Sequence, residues 1–123
     1  MVNHKKFIFS FGYAFEGLIH AFKRDQNIRI HTLATIAVLA LSIFFQLNPV
    51  EMALVIGAIT LVFFAELSNT ANEQIVDFMA KEHVPEAKYI KDVSAGFTFV
   101  VAFGAALIGI IIFLPKIINL LGL

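Results

Sequence analysis

Four polar side chains share one face of a largely apolar segment, and they are the residues of this chain best suited to chemistry. They are Glu66, Asn69, Glu73 and Asp77. At about 100° per residue, they fall within an arc of roughly 80° on a single helix. Carboxylates bind divalent cations, and through a cation they can hold phosphate. Because acidic groups are costly to place in a membrane helix, this face predicts a functional site.

The composition predicts that this helix crosses a membrane. Of the 123 residues, 59% are hydrophobic, whereas soluble domains are typically about 45–50% apolar. We therefore expect one membrane-embedded domain over residues 1–123. The absence of cysteine excludes a disulfide framework and thiolate chemistry. A net charge of zero argues against binding to nucleic acid by bulk electrostatic attraction.

Three segments are long and apolar enough to cross a bilayer, which takes roughly 17–25 residues. The predicted membrane helices are 30–47, 50–77 and 93–114. The second of them carries the polar face out of the membrane at one end. A tight turn at Asn48-Pro49 is predicted to join the first two helices, and a polar link, residues 81–92, the last two.

An amphipathic helix is predicted ahead of these spans, over residues 7–24. Its apolar row recurs at helical spacing: Phe7, Phe11, Phe15, Leu18 and Phe22. Such a helix is typical of segments that lie on the membrane surface. An ordinary helix packed on the bundle is the alternative. The predicted fold class is thus all-α and integral to the membrane, with a surface helix and three transmembrane helices.

The distribution of positive charge predicts the orientation in the membrane. Eight of the nine Lys and Arg residues lie before the first span or in the second link, and only Lys116 lies on the other side. Cytoplasmic loops carry an excess of such residues, so we expect the N-terminus and the second link to be cytoplasmic. The polar face then lies where a cytoplasmic nucleotide can reach it.

Further polar residues converge on the same side: Tyr13, Asp25 and the Lys91-Asp92 pair. Phosphoryl transfer from ATP needs carboxylates for Mg²⁺, cations for phosphate and a base near the acceptor hydroxyl. No Walker-A or G-x-G-x-x-G sequence supplies a glycine-rich phosphate loop. A small proton-coupled transporter is an alternative, although its essential acid is expected near midspan. A non-catalytic membrane scaffold is another, and it would not need the polar face.

Several motifs resemble those of the prokaryotic diacylglycerol kinase family. The most specific is ELSNTANEQIVD at residues 66–77, followed by KD at 91–92. GYAFEGL at 12–18 and FKRDQNIRIH at 22–31 also fit the family pattern. The resemblance covers about residues 7–114, which is most of the chain.

The resemblance implies a homotrimer in the bacterial inner membrane, with active sites between subunits. Members of the family transfer the γ-phosphate of ATP, with Mg²⁺, to a lipid hydroxyl at the membrane surface. Diacylglycerol kinases and undecaprenol kinases form two branches. NIRIH at 27–31 and FLPK at 113–116 look more like the undecaprenol branch of Gram-positive bacteria. Undecaprenol is therefore the expected acceptor, and diacylglycerol is the alternative.

The resemblance also implies a role for individual residues. Glu66 matches the catalytic base, and Asp25 and Glu73 match the metal ligands. The implied ATP contacts are Tyr13, Asp25, Glu73, Glu82, Lys91 and Asp92, with Lys6, Asn69 and Asp77 in supporting positions. Asp25 stands where the family usually has Glu, so its carboxylate is one methylene shorter.

Two more polar residues are expected to have structural roles. His31 is interpreted as an interface or packing residue and not as a metal ligand. Asn72 lies off the edge of the polar face, toward a neighbouring helix or lipid. A buried amide is costly unless it is hydrogen-bonded, so Asn72 is expected to need a partner.

Overall fold

The computed structural model describes residues 4–123, and within that range the chain forms four α-helices and no strand. The helices are α1 (His4–Arg24), α2 (Gln26–Phe44), α3 (Pro49–Met79) and α4 (Pro85–Leu120). Helices α2, α3 and α4 are each long and apolar enough to span a membrane. The predicted all-helical class with three candidate spans is confirmed. Residues 1–3 of the predicted domain lie outside the described residues.

A single residue, Asp25, separates α1 from α2. Its backbone is extended (φ −103°, ψ 118°), and its Oδ1 accepts a hydrogen bond from the backbone N–H of Asn27 at 2.8 Å. Asp25 is therefore the N-cap of α2. Arg29 donates to the carbonyl oxygens of Phe22 and Lys23 at 3.0 and 2.8 Å, and so caps the end of α1. These two caps fix the backbone on both sides of Asp25, which is a predicted metal ligand.

The α2–α3 turn comes earlier than the hydropathy pattern indicates. Helix α2 ends at Phe44, before the predicted end at 47, and Gln46 adopts a positive φ of 50°. Asn48 then starts α3 through a capping box: it accepts from the N–H of Glu51 at 2.9 Å, and the Glu51 carboxylate accepts in return at 3.1 Å. The apolar residues between Phe44 and Asn48 extend the predicted first span, but in the structure they belong to the turn. The capping box at Asn48 sets the start of α3.

The connection between α3 and α4 is shorter than the predicted link. Only residues 80–84 are non-helical, and Pro85 occupies the first turn of α4, where its missing N–H is tolerated. Helix α4 has 36 residues and is therefore about 54 Å long, against about 30 Å for a bilayer core. The polar residues at its start thus mark a helix that continues outside the hydrocarbon. Hydropathy locates the membrane boundary and not the end of the helix.

Apolar packing and one ion pair fix the end of the bundle that lies opposite the polar face. Val55, Ile112 and Phe113 form a buried cluster there. Helix α4 runs through Pro115, and the next residue, Lys116, places its ammonium 3.2 Å from Oε1 of Glu51 on α3. Helices α3 and α4 are therefore held together well away from the polar residues of α3.

At the other end of the α3–α4 pair, Asn72 donates a hydrogen bond to the hydroxyl of Ser94 at 3.1 Å. Ser94 is only 2% exposed. The expectation that Asn72 needs a partner on a neighbouring helix is confirmed. The hydrogen bond therefore joins α3 to α4 close to the end of α3 that leads into the link.

Helix α1 packs on the remainder of the chain only near its C-terminal end, where Ala21 is buried. The predicted apolar row stays uncovered within residues 4–123, with each of its side chains between 43% and 65% exposed. The row consists of Phe7, Phe11, Phe15, Leu18 and Phe22. An amphipathic helix with a bare apolar side is what a membrane surface or another subunit would cover.

Candidate functional site

Glu66 is a buried carboxylate near the middle of α3, only 5% exposed. Its Oε1 lies 3.2 Å from Nε2 of His31 on α2. An ionised carboxylate can only accept, so in that state the imidazole N–H is the donor. The second oxygen, Oε2, is buried and has no hydrogen-bond partner among the described residues. Glu66 therefore keeps one acceptor oxygen available inside the bundle.

One turn further along α3, a second contact joins the start of α2. The hydroxyl of Thr70 donates to Oδ2 of Asp25 at 2.6 Å. Asn69 donates from its amide nitrogen to Oε1 of Glu73 at 3.4 Å, while its own Oδ1 is buried without a partner in residues 4–123. We call the space beside these four residues the acidic groove. It has a volume of about 230 Å³ and is also lined by Arg24, Gln26, Asn27 and Gln74. Its oxygen donors are the type that hard cations prefer.

A second polar site lies between α3, α4 and their link. The ammonium of Lys91 donates to Oδ1 of Asp77 across the two helices. Glu73, one turn before Asp77, adds a further negative charge near Lys91. We call the space beside this pair the link pocket, which has a volume of about 220 Å³ and is also lined by Glu82 and His83. The structure thus brings Asp77, Glu82 and Lys91 together.

Neither the acidic groove nor the link pocket is lined by two of the predicted nucleotide contacts, Tyr13 and Asp92, or by the supporting residue Lys6. Tyr13 is 70% exposed on α1, and Lys6 is exposed near the start of the same helix. Asp92 is exposed and pairs with Lys88 one turn earlier on α4. Within a single chain over residues 4–123, these side chains do not join the others around one centre.

The two predicted metal ligands share the acidic groove, since Asp25 and Glu73 both line it. Within residues 4–123, no three His, Asp or Glu side chains are grouped so that they could hold a metal by themselves. A cation in this groove would therefore need further oxygen donors from a bound molecule.

Comparison with known proteins assigns the chain to a family. A sequence model of prokaryotic diacylglycerol kinases matches residues 12–113. The chain belongs to the prokaryotic diacylglycerol kinase family. An undecaprenol kinase of Bacillus subtilis is 36% identical over 91% of both chains. A diacylglycerol kinase of Synechocystis is 34% identical, over 91% of this chain and 65% of the relative.

Family membership makes this protein a lipid kinase, a phosphotransferase that moves a phosphoryl group from a nucleotide to a lipid alcohol. Together with its three long apolar helices, it makes the chain a multi-pass membrane protein. The prediction of a lipid kinase is confirmed, whereas the transporter and scaffold interpretations lose their support.

Two residues that contact the predicted site of this lipid kinase, His31 and Thr70, are not among the predicted site residues. His31 is predicted to be an interface or packing residue, and the structure adds that it is the hydrogen-bond partner of Glu66. No local sequence pattern marks either contact, because both follow from the antiparallel register of α2 and α3. Asp25, at the start of α2, pairs with Thr70 of α3, and His31, later in α2, pairs with Glu66, earlier in α3.

Proposed function

We propose that this kinase transfers the γ-phosphate of ATP, with Mg²⁺, to the hydroxyl of undecaprenol. The observation that carries the mechanism is the buried Oε2 of Glu66, which has no hydrogen-bond partner within residues 4–123. Undecaprenol is supported by the undecaprenol kinase of Bacillus subtilis, which matches over 91% of both chains. Diacylglycerol is the alternative acceptor, supported by the diacylglycerol kinase of Synechocystis, 34% identical.

An apolar crevice between α2, α3 and α4 offers a place for the hydrocarbon chain of the acceptor. It has a volume of about 250 Å³ and extends from His31 to Phe113. Small side chains from all three helices leave this space open, among them Ala34, Ala58 and Ala106. A chain in the crevice would bring its hydroxyl to the end where His31 meets Glu66. This continuity supports an acceptor that is a membrane lipid.

The reaction then requires one proton acceptor and correct alignment. The lipid hydroxyl oxygen attacks the γ-phosphorus while the bond between that phosphorus and the ADP oxygen breaks. Glu66 accepts the hydroxyl proton on Oε2 and later releases it to water. The products are lipid phosphate, ADP and a proton. Because phosphoryl transfer depends chiefly on positioning and electrostatics, a single well-placed base suffices on the acceptor side.

The acidic groove fits Mg²⁺ in the chemistry of its donors. It offers the carboxylates of Asp25 and Glu73 and is lined by Asn69, whose Oδ1 has no partner in the described part of the chain. Mg²⁺ is usually held by one or two carboxylates together with substrate phosphates, which matches this set. When bound, the ion neutralises charge on the β- and γ-phosphates. The carboxylates hold the nucleotide in place through it.

The remaining predicted ATP contacts are assigned to the cytoplasmic end of the helices. Lys91 meets phosphate charge, and its bond to Asp77 holds it at the link pocket. Glu82 contacts the nucleotide from the link pocket. Tyr13, Asp92 and the supporting Lys6 lie elsewhere on the surface of the chain, which supports a homotrimer whose sites form between subunits. Native mass spectrometry of the detergent-solubilised protein tests for a mass of three chains.

We place the protein in the bacterial inner membrane with its N-terminus in the cytoplasm. Since the chain has no cysteine, an introduced cysteine is the only thiol of this chain that a maleimide can label. In intact spheroplasts, we expect an impermeant maleimide to label Asn119→Cys and to spare Ser10→Cys. Permeabilised cells should label both variants. Labelling of Ser10→Cys alone in intact spheroplasts would reverse the topology.

The decisive assay offers both acceptors to the purified protein. Undecaprenol and diacylglycerol are presented side by side in lipid micelles with ATP and Mg²⁺, and labelled phosphate is followed into each lipid. We expect undecaprenyl phosphate to form faster. Faster labelling of diacylglycerol would make phosphatidic acid the product. Transfer to neither lipid by a folded oligomer would contradict the proposed function.

Filling the crevice should weaken use of the lipid acceptor specifically. Ala58 lines the crevice, whereas Ala53 on the same helix is exposed. Because a methylene group in an apolar pocket is worth about 10-fold or more in selectivity, Ala58→Leu should lower kcat/KM for undecaprenol by about 10-fold. KM for ATP should not change. Ala53→Leu is the matched control, and an equal loss in both variants would contradict the crevice as the lipid site.

A further inference from the structure

We propose that His31 is a positioning residue, which holds Oε1 of Glu66 so that Oε2 remains for the acceptor hydroxyl. The inference rests on the proposed function, in which Glu66 is the base. It adds which oxygen of Glu66 takes the proton and which residue determines this. His31 acts on the reaction only through Glu66.

The first support is the unequal environment of the two carboxylate oxygens. Oε1 has an imidazole nitrogen at 3.2 Å, whereas Oε2 is buried with no partner among the described residues. A buried acceptor without a donor is energetically unfavourable, because it has lost its hydrogen bonds to water and gained none in the protein. Such a group is rare in folded proteins and calls for a specific explanation. A bound hydroxyl would supply the missing donor.

The second support is the position of His31 between the lipid space and the base. His31 lines the end of the apolar crevice, and its Nε2 contacts Glu66. The side chain of His31 is 25% exposed, while that of Glu66 is 7% exposed. A hydroxyl that arrives through the crevice therefore reaches the imidazole and the carboxylate at the same place.

The third support is that α2 is fixed against α3 close to this contact. The bond between Thr70 and Asp25 at 2.6 Å and the N-cap of α2 set the register of the two helices. The His31 imidazole thus approaches Glu66 from a constrained backbone. A carboxylate bonded through one oxygen from a fixed partner cannot rotate freely, and misplacement of a reacting group by about 1 Å can reduce a rate by about 100-fold.

A matched pair of polar variants tests this role. Gln places an amide N–H near the position of Nε2, whereas Asn is one methylene shorter and does not reach Glu66. We expect His31→Gln to retain kcat within about 3-fold, and His31→Asn to lower it by about 10–100-fold, with KM for ATP unchanged in both. His20, exposed on α1, provides the control His20→Asn, which should behave as wild type.

The outcomes separate this inference from the proposed function. If His31→Asn keeps the wild-type kcat while Glu66→Gln is inactive, the role of His31 is wrong and the base assignment stands. If Gln and Asn at position 31 reduce kcat equally, hydrogen bonding to Glu66 is not what His31 provides. If Glu66→Gln is as active as wild type, Glu66 is not the base and the role of His31 fails with it, whereas only the absence of transfer to either lipid contradicts the kinase function. Thermal unfolding of each variant in the same micelles identifies a loss that is only structural.

Discussion

Glu66→Gln is expected to lower kcat by about 10²–10⁴-fold, the usual contribution of a general base. Gln is nearly isosteric with Glu, and its amide oxygen can still accept the hydrogen bond that His31 donates to Oε1. What the variant loses is the ability to take a proton on the buried second position. The rate of labelled phosphate transfer to undecaprenol measures this loss.

Glu51→Gln is the matched control, because Glu51 lies on the same helix at the opposite end and pairs with Lys116. The same substitution there should leave kcat near the wild-type value. KM for ATP should remain within a few-fold in Glu66→Gln, since the carboxylate is assigned to the acceptor and not to the nucleotide. Wild-type turnover by Glu66→Gln, or an equal loss in the control, would exclude Glu66 as the base.

The sequence predicted those parts of the structure that depend on local periodicity. A helix that carries Glu66 and Asn69 on one face follows from their spacing, and both side chains are indeed buried on α3. The apolar runs likewise predicted three long helices, as the structure has them. In each case the signal lies within one segment and does not require knowledge of a partner helix.

Contacts between helices were harder to predict, because they depend on register and not on composition. The pairs His31–Glu66 and Thr70–Asp25 lie 35 and 45 residues apart in the chain. No local pattern sets that pairing; it depends on where α2 begins and on the length of the α2–α3 turn. The capping box at Asn48 and the N-cap at Asp25 fix both quantities.

The two ends of the helix bundle are held together by different interactions. Apolar packing around Val55 and the Lys116–Glu51 ion pair secure the end away from the polar face. The polar end is joined by side-chain hydrogen bonds, such as Asn72 to Ser94. Within residues 4–123, the polar end also retains two buried acceptors without donors, Oε2 of Glu66 and Oδ1 of Asn69. Those acceptors are available to a substrate because packing does not need them.

Glu73→Gln is expected to raise the Mg²⁺ concentration required for half-maximal activity by about 10-fold or more, since even groups that only support a metal ligand typically contribute about 10–100-fold. Glu73 is a cleaner test than Asp25. Asp25 also caps α2 and accepts a bond from Thr70, so its replacement would disturb the fold. Gln at position 73 can still accept the bond from Asn69 through its amide oxygen, and it loses only the charge.

The measurement is a Mg²⁺ titration of transfer to undecaprenol at a fixed ATP concentration, with Glu86→Gln as control. Glu86 is an exposed acid in the first turn of α4, and its replacement should leave the titration unchanged. High Mg²⁺ should restore part of the activity of Glu73→Gln, because mass action compensates for a weakened site. A lower kcat with an unaltered Mg²⁺ midpoint would instead indicate that Glu73 contacts the nucleotide directly and not through Mg²⁺. Since Glu73 also adds negative charge near Lys91, that result would indicate that the ATP phosphates bind nearer the link pocket than the acidic groove.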